Sequence, residues 1–358
     1  MIITEVSAIC NLGGSLDEIF KNAVDGVLSD FRIDRQLPEI NDEKYNLRCN
    51  KILLYCVNQL DKEIKTLVSK YGKNRVGIVL ATANTGIDEF EQTNNPEHAK
   101  IGNPAEFLQN YLGLEGFFCA VSTACSSGIK VFSTAKRLLE NDICDAVIGG
   151  GCDGISKLPL AGFASLEVLS KERSNPFSEN RTGMNIGEGG AIFLLEKEGE
   201  GIKVLATGET SDAYHSSTPE PEGIQAARAM EMALQDAGLR ISDIDYIKLH
   251  GTGTLANDLT EANALNNIGA LEIPVSSTKP LTGHCLGASA SIETALCCAM
   301  LLCNPEKFLL PHIFDGCYDK TLPLLNLVKK GQTAMRLNNI LCTAFGFGGT
   351  NAAVIIGR

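Results

Sequence analysis

Apolar residues fall into short unbroken runs separated by stretches in which they recur every three or four positions. That is the pattern of an α/β fold with mostly parallel strands. The runs predict strands at Arg75–Ala81, Phe117–Ser122, Ala146–Gly149, Ala191–Leu195, Tyr246–Leu249, Ile340–Ala344 and Ala352–Ile356. A helix is expected after Ser127, with Ile129, Phe132, Ala135 and Leu139 on one face and Lys136, Arg137 and Glu140 elsewhere. A second runs from about Gly223 to Ala237 and stops at Gly238. A third starts at Asp258, read as its cap, with Glu261 as the acidic member of a capping-box-like pair. The fourth follows His284 and opens on Gly287, Ala288, Ser289 and Ala290, small residues that permit close approach to another backbone and predict a central position. No repeat by residue identity is present. The Gly/Glu stretch at 197–201 is the nearest approach to a boundary, which divides the chain into 1–200 and 201–358.

Composition adds exclusions. Of 358 residues, 44% are hydrophobic and 21% charged, enough to bury a sizeable core. With 31 Lys+Arg against 43 Asp+Glu, the net charge of −12 disfavours a phosphate backbone, so nucleic acid is not an expected partner. The thirteen cysteines are odd in number, and Cys56, Cys144, Cys297 and Cys298 sit in apolar runs. They read as reduced core thiols in a cytoplasmic protein. The opening MIITEVSAICNLGG lacks the basic and apolar regions of a secretory signal. The most apolar segment, Ala295 to Cys303, is too short to span a bilayer.

Three elements carry candidate chemistry. In FFCAVSTACSSGIK an apolar strand runs through Cys125 into the amphipathic helix. There, unpaired backbone N–H groups and the helix dipole are expected to favour the thiolate, and small neighbours leave room for a substrate; the alternative is a buried structural cysteine. Two of the five histidines, His250 in YIKLHGTGT and His284 in SSTKPLTGHCLG, close strand-like runs at glycine-rich turns, where an α/β fold assembles its site. His98, His215 and His312 read as ordinary core or surface residues. AFGFGGTN at 344–351 reads either as a tight hairpin or as a loop whose glycines let backbone N–H groups approach a reacting oxygen. Gly149–Gly154 matches a dinucleotide-binding spacing, but the segment after it contains Pro159 and is not expected to open a helix, so no nucleotide site is read there.

Taken together, VSTACSSG, HGTGTxxNDxxE, SSTKxxxGHxxGAS and FGFGGTN resemble the elongating β-ketoacyl-acyl carrier protein synthases, condensing enzymes of the thiolase superfamily. The likeness runs from about Asn103 to Arg358. It implies a five-layered α-β-α-β-α fold of two pseudo-equivalent halves, the first carrying the cysteine and the second the two histidines, usually in a homodimer. It implies an acyltransferase in which Cys125 is acylated while His250 and His284 stabilise the enolate left by malonyl decarboxylation. Lys279 and Glu293 correspond to a supporting charged pair. Thr252 and Thr254 correspond to residues lining the phosphopantetheine channel, and Phe345, with Gly346 beside it, to the gating and oxyanion position. The substrates are acyl and malonyl thioesters on acyl carrier protein, with no cofactor and no metal.

Some positions depart from the family pattern. Arg181-Thr182-Gly183-Met184 replaces RDGF, which brings Met184 to the acyl or pantetheine channel. The stretch from Gly86 to Phe107 is short, and Glu115-Gly116-Phe117 replaces RGP, pointing to an altered dimer surface or a different partner subunit. Arg48 and Lys51 correspond to a docking helix for an acidic carrier. Fatty-acid and polyketide or aryl-polyene synthesis both stay open. A thiolase is disfavoured because Phe345, not a second reactive cysteine, stands in the last glycine loop. A chain-length-determining partner subunit is disfavoured because Cys125, His250 and His284 are all kept.

Overall fold

The seven expected runs become strands, joined by three others that the hydrophobic pattern does not mark. The computed structural model describes all 358 residues. In chain order the strands are β1 Ile2–Cys10, β2 Val76–Ala81, β3 Phe118–Val121, β4 Ala146–Asp153, β5 Gly189–Glu196, β6 Ile202–Ser211, β7 Tyr246–Lys248, β8 Val275–Ser276, β9 Asn339–Gly346 and β10 Thr350–Gly357. The first half carries the helices α1 Leu16–Val24, α2 Arg48–Gln59, α3 Asp61–Tyr71, α4 Ile87–Thr93, α5 Asn103–Leu112, α6 Ser127–Glu140 and α7 Lys157–Ser165. The second carries α8 Ile224–Ala237, α9 Leu255–Asn267, α10 Lys279–Thr282 and α11 Ser289–Leu302.

The strands line up as β3-β2-β4-β5-β1-β6-β10-β9-β7-β8. Numbered within its own half, each half therefore shows the order 3-2-4-5-1, and the two meet where β1 and β6 pair through Ile2–Lys203 and Ile3–Ile202. The sheet is mixed, not mostly parallel as the alternation suggested. β2 runs parallel to β3 and β4, and β7 to β8 and β9, but the β4–β5, β5–β1, β1–β6, β6–β10 and β10–β9 pairs are antiparallel. One cause is local: β9 and β10 are joined by a short turn, and only an antiparallel pair can be closed that way.

Five layers follow from where the apolar faces meet. One core cluster joins α6 and α11 to the inner faces of both half-sheets. A second packs α2, α3 and α5 on the outside of the first half. A third packs α8 and α9 on the outside of the second. As its small first residues predicted, α11 is central: every residue from Ser289 to Leu301 is buried. A Cβ on Gly128 would lie 2.5 Å from the Ser291 nitrogen, so only glycine lets α6 and α11 approach this closely.

Two helix starts differ from expectation. Thr254, not Asp258, caps α9, its hydroxyl accepting from the Asn257 N–H. Asp258 points inward, where its carboxylate accepts N–H bonds from Phe177 at 2.8 Å and Gly253 at 3.2 Å. Glu261 is no capping partner either; it accepts from the N–H groups of His250 and Gly251 at 2.7 and 2.6 Å. The segment containing Pro159 does form a helix, α7, with the proline in its first turn, where its missing N–H costs no bond. Gly149–Gly151 lie inside β4 and not in a phosphate-binding loop; a Cβ on Gly150 would strike the Ala191 carbonyl at 2.0 Å.

Candidate active site

Cys125 sits between β3 and α6, in a turn fixed by its small hydroxyl residues. The preceding Ala124 adopts φ 53°, a left-handed conformation that costs energy for a residue with a Cβ. Ser127 Oγ holds it by accepting from the Thr123 N–H at 2.8 Å and donating to the Ala124 carbonyl at 2.6 Å. Ser126 Oγ donates to the Thr123 carbonyl at 2.8 Å. The thiol is thereby aimed away from α6 and toward the second half of the molecule.

His284, from the turn ahead of α11, meets it: Nε2 lies 2.9 Å from Cys125 Sγ, and Nδ1 lies 2.8 Å from Ser289 Oγ. His250, at the end of β7, stands edge to face with His284 at 5.4 Å between ring centroids. A donor atom from each of the three side chains falls within a 4.8 Å cluster. The other histidines stay apart. His98 bonds Thr93 and the Glu43 carbonyl, His312 lies against Phe177 and Phe314, and His215 is exposed.

Electrostatics correct one expectation. Burial pushes the Cys125 thiol up to about 11, outweighing the Lys279 charge and the facing N–H groups of Phe347 and of Cys125 itself, which pull it down. The resting group is a thiol. Both imidazoles are held well below the usual histidine range by burial and then by Lys279, so they are neutral. Thiolate formation therefore coincides with proton transfer to His284 Nε2, the ring nitrogen within reach of the sulfur.

Beneath the histidines, Lys279 Nζ donates to the His250 carbonyl at 2.5 Å and lies 3.4 Å from His250 Nδ1. It pairs with Glu293 at 2.7 Å. Sequence reasoning matched this pair but gave two buried neighbours no place in the site. Lys248 also reaches Glu293, at 3.2 Å, and Glu261 fixes the backbone of His250. Their signal was present in YIKLHGTGT, where a lysine interrupts an apolar strand, and in an acid three residues from Asp258.

A cavity of about 290 Å³ opens onto Cys125, His250 and His284, and its walls include Thr252, Thr254, Met184, Phe345 and Gly346. All the expected binding positions thus face one space. Thr252 and Thr254 bond each other at 3.0 Å. Met184 is buried and packs with Ile186 and Leu286. Arg181, ahead of it, bonds Asp319 at 2.6 Å and pairs with Asp258 at 3.6 Å. Phe345 packs its ring on His250, at 6.1 Å, and it is the Phe347 N–H that bears on the sulfur. β9 ends at Gly346, so Phe347 lies in the hairpin turn, with the left-handed Gly348 and Gly349 after it. A Cβ on Gly346 would come within 3.1 Å of the Cys125 nitrogen.

The proposed docking charges are engaged within the chain. Arg48 holds the buried Glu188 through Nε at 2.7 Å, and Lys51 bonds Glu39 at 3.0 Å. Neither is a free basic group. No helix is long and apolar enough to cross a membrane.

Comparison with known proteins agrees with this geometry. The family model "beta-ketoacyl synthase, N-terminal domain" matches residues 71–200, and its C-terminal counterpart matches 202–304. The 3-oxoacyl-[acyl-carrier-protein] synthase 2 of Vibrio cholerae is 34% identical over 267 residues, 69% of this chain; the chain spans 63% of that relative's length. The Staphylococcus aureus protein of the same name is 27% identical over 99% of this chain and 100% of its own. A solved structure of the ketosynthase ApeO in complex with its chain length factor ApeC, from Xenorhabdus doucetiae, matches with a TM-score of 0.93 and 34% identity over 99% of this chain and 97% of that one. A β-ketoacyl synthase from Burkholderia phymatum shares the fold at a TM-score of 0.87 and 21% identity. With both family domains matched in order, and a cysteine and two histidines meeting across them, the chain belongs to the β-ketoacyl synthase family.

Proposed function

We propose that the chain is a β-ketoacyl-acyl carrier protein synthase that joins an acyl thioester to malonyl-acyl carrier protein by decarboxylative Claisen condensation. The observation that carries this reading is the 2.9 Å approach of His284 Nε2 to the Cys125 sulfur, with His250 beside it at the floor of the cavity. In the first half-reaction Cys125 attacks the acyl thioester carbonyl as His284 takes the thiol proton. The N–H groups of Cys125 and Phe347 face the resulting oxyanion, and the proton passes to the departing pantetheine thiolate. In the second, malonyl thioester loses CO2, and the enolate oxygen accepts hydrogen bonds from His250 and from His284, the latter as the tautomer with its proton on Nε2 and Nδ1 accepting from Ser289. The enolate carbon then attacks the acyl group, the carbon–sulfur bond to Cys125 breaks, and the departing thiolate takes a proton from water. The pantetheine arm is the carrier's own, so the scheme calls for no dissociable cofactor.

For assembly we propose a dimer built along β3, with a second copy of this chain or a related thiolase-fold subunit. The strand lies at the end of the sheet, and Phe117 and Phe118 are exposed there. A related ketosynthase of known structure is bound to a chain length factor, and another bears an acyl-carrier protein. Thirteen unpaired cysteines support a reducing, cytoplasmic setting.

The test is direct. Incubation with acyl-carrier protein should add the acyl mass to Cys125, and malonyl-carrier protein should then give CO2 and a β-ketoacyl product. An unmodified Cys125 with no CO2 release would overturn the reading. Light scattering of the purified chain, alone and with a co-expressed related subunit, reports the assembly.

A further inference from the structure

The layer beneath His250 holds a charge that this scheme does not use. Lys248 lies on β7 with its side chain fully buried. Its Nζ donates to the Leu249 carbonyl at 2.8 Å and lies 3.2 Å from Glu293 Oε1. The same oxygen lies 2.7 Å from Lys279 Nζ, while Glu293 Oε2 has no hydrogen-bond partner within the protein. Two ammonium groups thus converge on one carboxylate, leaving a positive charge in excess. Burying an ion on a fully buried strand is costly, and an apolar side chain would serve packing alone better.

We propose that Lys248 is a positioning residue of the condensation site, which by sharing Glu293 with Lys279 leaves an excess positive charge under His250 that favours the anions formed above the two rings. These anions are the Cys125 thiolate and the enolate. The enolate half rests on the function proposed above; the thiolate half does not. Glu293 opposes ionisation of Cys125 and Lys279 promotes it; a second cation 3.2 Å from Glu293 offsets that carboxylate and so favours the thiolate. His250 is faced by Lys279 from α10, by His284 from the turn before α11, and by Lys248 from its own strand, and all three lower its proton affinity. Glu261 of α9 holds its backbone N–H, Phe345 of β9 packs on its ring, and Glu293 of α11 stands behind Lys279.

Lys248→Met keeps the length and removes the charge, and Lys248→Gln removes it with a polar end should the first variant fail to fold. For each, two pH profiles are measured: carboxamidomethylation of Cys125 by iodoacetamide, followed by mass, and decarboxylation of malonyl-carrier protein. The alkylation profile should move to higher pH by about one unit, the smaller end of what a nearby charge produces. Decarboxylation kcat should fall about tenfold with KM unchanged, the pattern of an interaction made in the transition state. Alkylation profiles that superimpose on the wild type, in variants that merely melt lower, would overturn the proposal and leave Lys248 a core-filling residue. Wild-type protein that does not decarboxylate malonyl-carrier protein would overturn the condensing function instead, while the alkylation profiles still decide the role of Lys248.

Discussion

Phe163 and Phe347 meet edge to face, with ring centroids 5.5 Å apart, and so tie α7 to the hairpin turn that faces the reactive sulfur. Phe163 also lines both the main cavity and a neighbouring apolar one of about 270 Å³, whose walls include Ile87, Ile101 and Leu158. It is the residue that the two linings share. Phe163→Ala should join the two spaces and shift the preferred acyl primer to longer chains, read from condensation rates across a series of acyl carriers. An unchanged ranking would mean that the acyl chain does not pass this way.

The two half-reactions should be lost separately. Cys125→Gln removes the nucleophile and sets an amide where the acyl thioester would lie, so condensation should vanish while malonyl decarboxylation persists or rises. His250→Ala or His284→Ala should depress decarboxylation by about 100-fold or more, the scale of a lost oxyanion donor. Acylation of Cys125 should remain detectable by mass in the His250 variant. Normal decarboxylation in both histidine variants would refute these roles.

Met184 lines the cavity yet is itself buried against Ile186 and Leu286. Met184→Phe adds a rigid ring to that wall, so the ranking of acyl-chain lengths should change. A variant with lower melting temperature and the wild-type ranking would make Met184 a packing residue only.

Glu261 links pH to stability. Burial pushes its carboxyl up to about 7 despite three hydrogen bonds to the charged form, against an ordinary value of 4.5, so the folded chain binds more protons between those values. The stability it contributes is full below about pH 4.5 and is lost as pH rises through about 7. The buried imidazoles of His250, His284 and His312, held low, slope the other way. Comparison of wild type with Glu261→Gln isolates the carboxyl. In urea unfolding, the advantage of wild type over the variant should shrink from pH 5 to pH 7.5, by on the order of 3 kcal/mol at most. A constant difference would show that Glu261 does not titrate in this window.

What could be read from the chain alone follows a physical divide. Fully buried strands such as β2, β5 and β10 announce themselves as apolar runs, and the motif residues brought their turns with them. β6 escaped notice because its positions alternate between buried and exposed or half-exposed faces, and β8 because two residues make no pattern. Asp258 and Glu261 have the spacing of a cap, but their direction is set by backbone N–H groups far away in the chain, such as that of Phe177. Phe345 and Phe347 stand two residues apart in FGFGG, and only the end of β9 decides which N–H turns toward the sulfur. Likewise Arg48 looks like a free surface charge until the fold brings Glu188 beneath it.

Cys125 precedes α6 after the third strand of one half, and His284 precedes α11 after the third strand of the other. The same place in the repeated strand order carries the thiol in one half and an imidazole in the other. Neither half holds the cysteine and both histidines, so the proposed condensation requires that the two be assembled and seated together. Alkylation of Cys125 at neutral pH thus serves as a reporter of interlobe registry, sensitive to a slip of one half on the other that spectroscopy of helix and strand content would pass over.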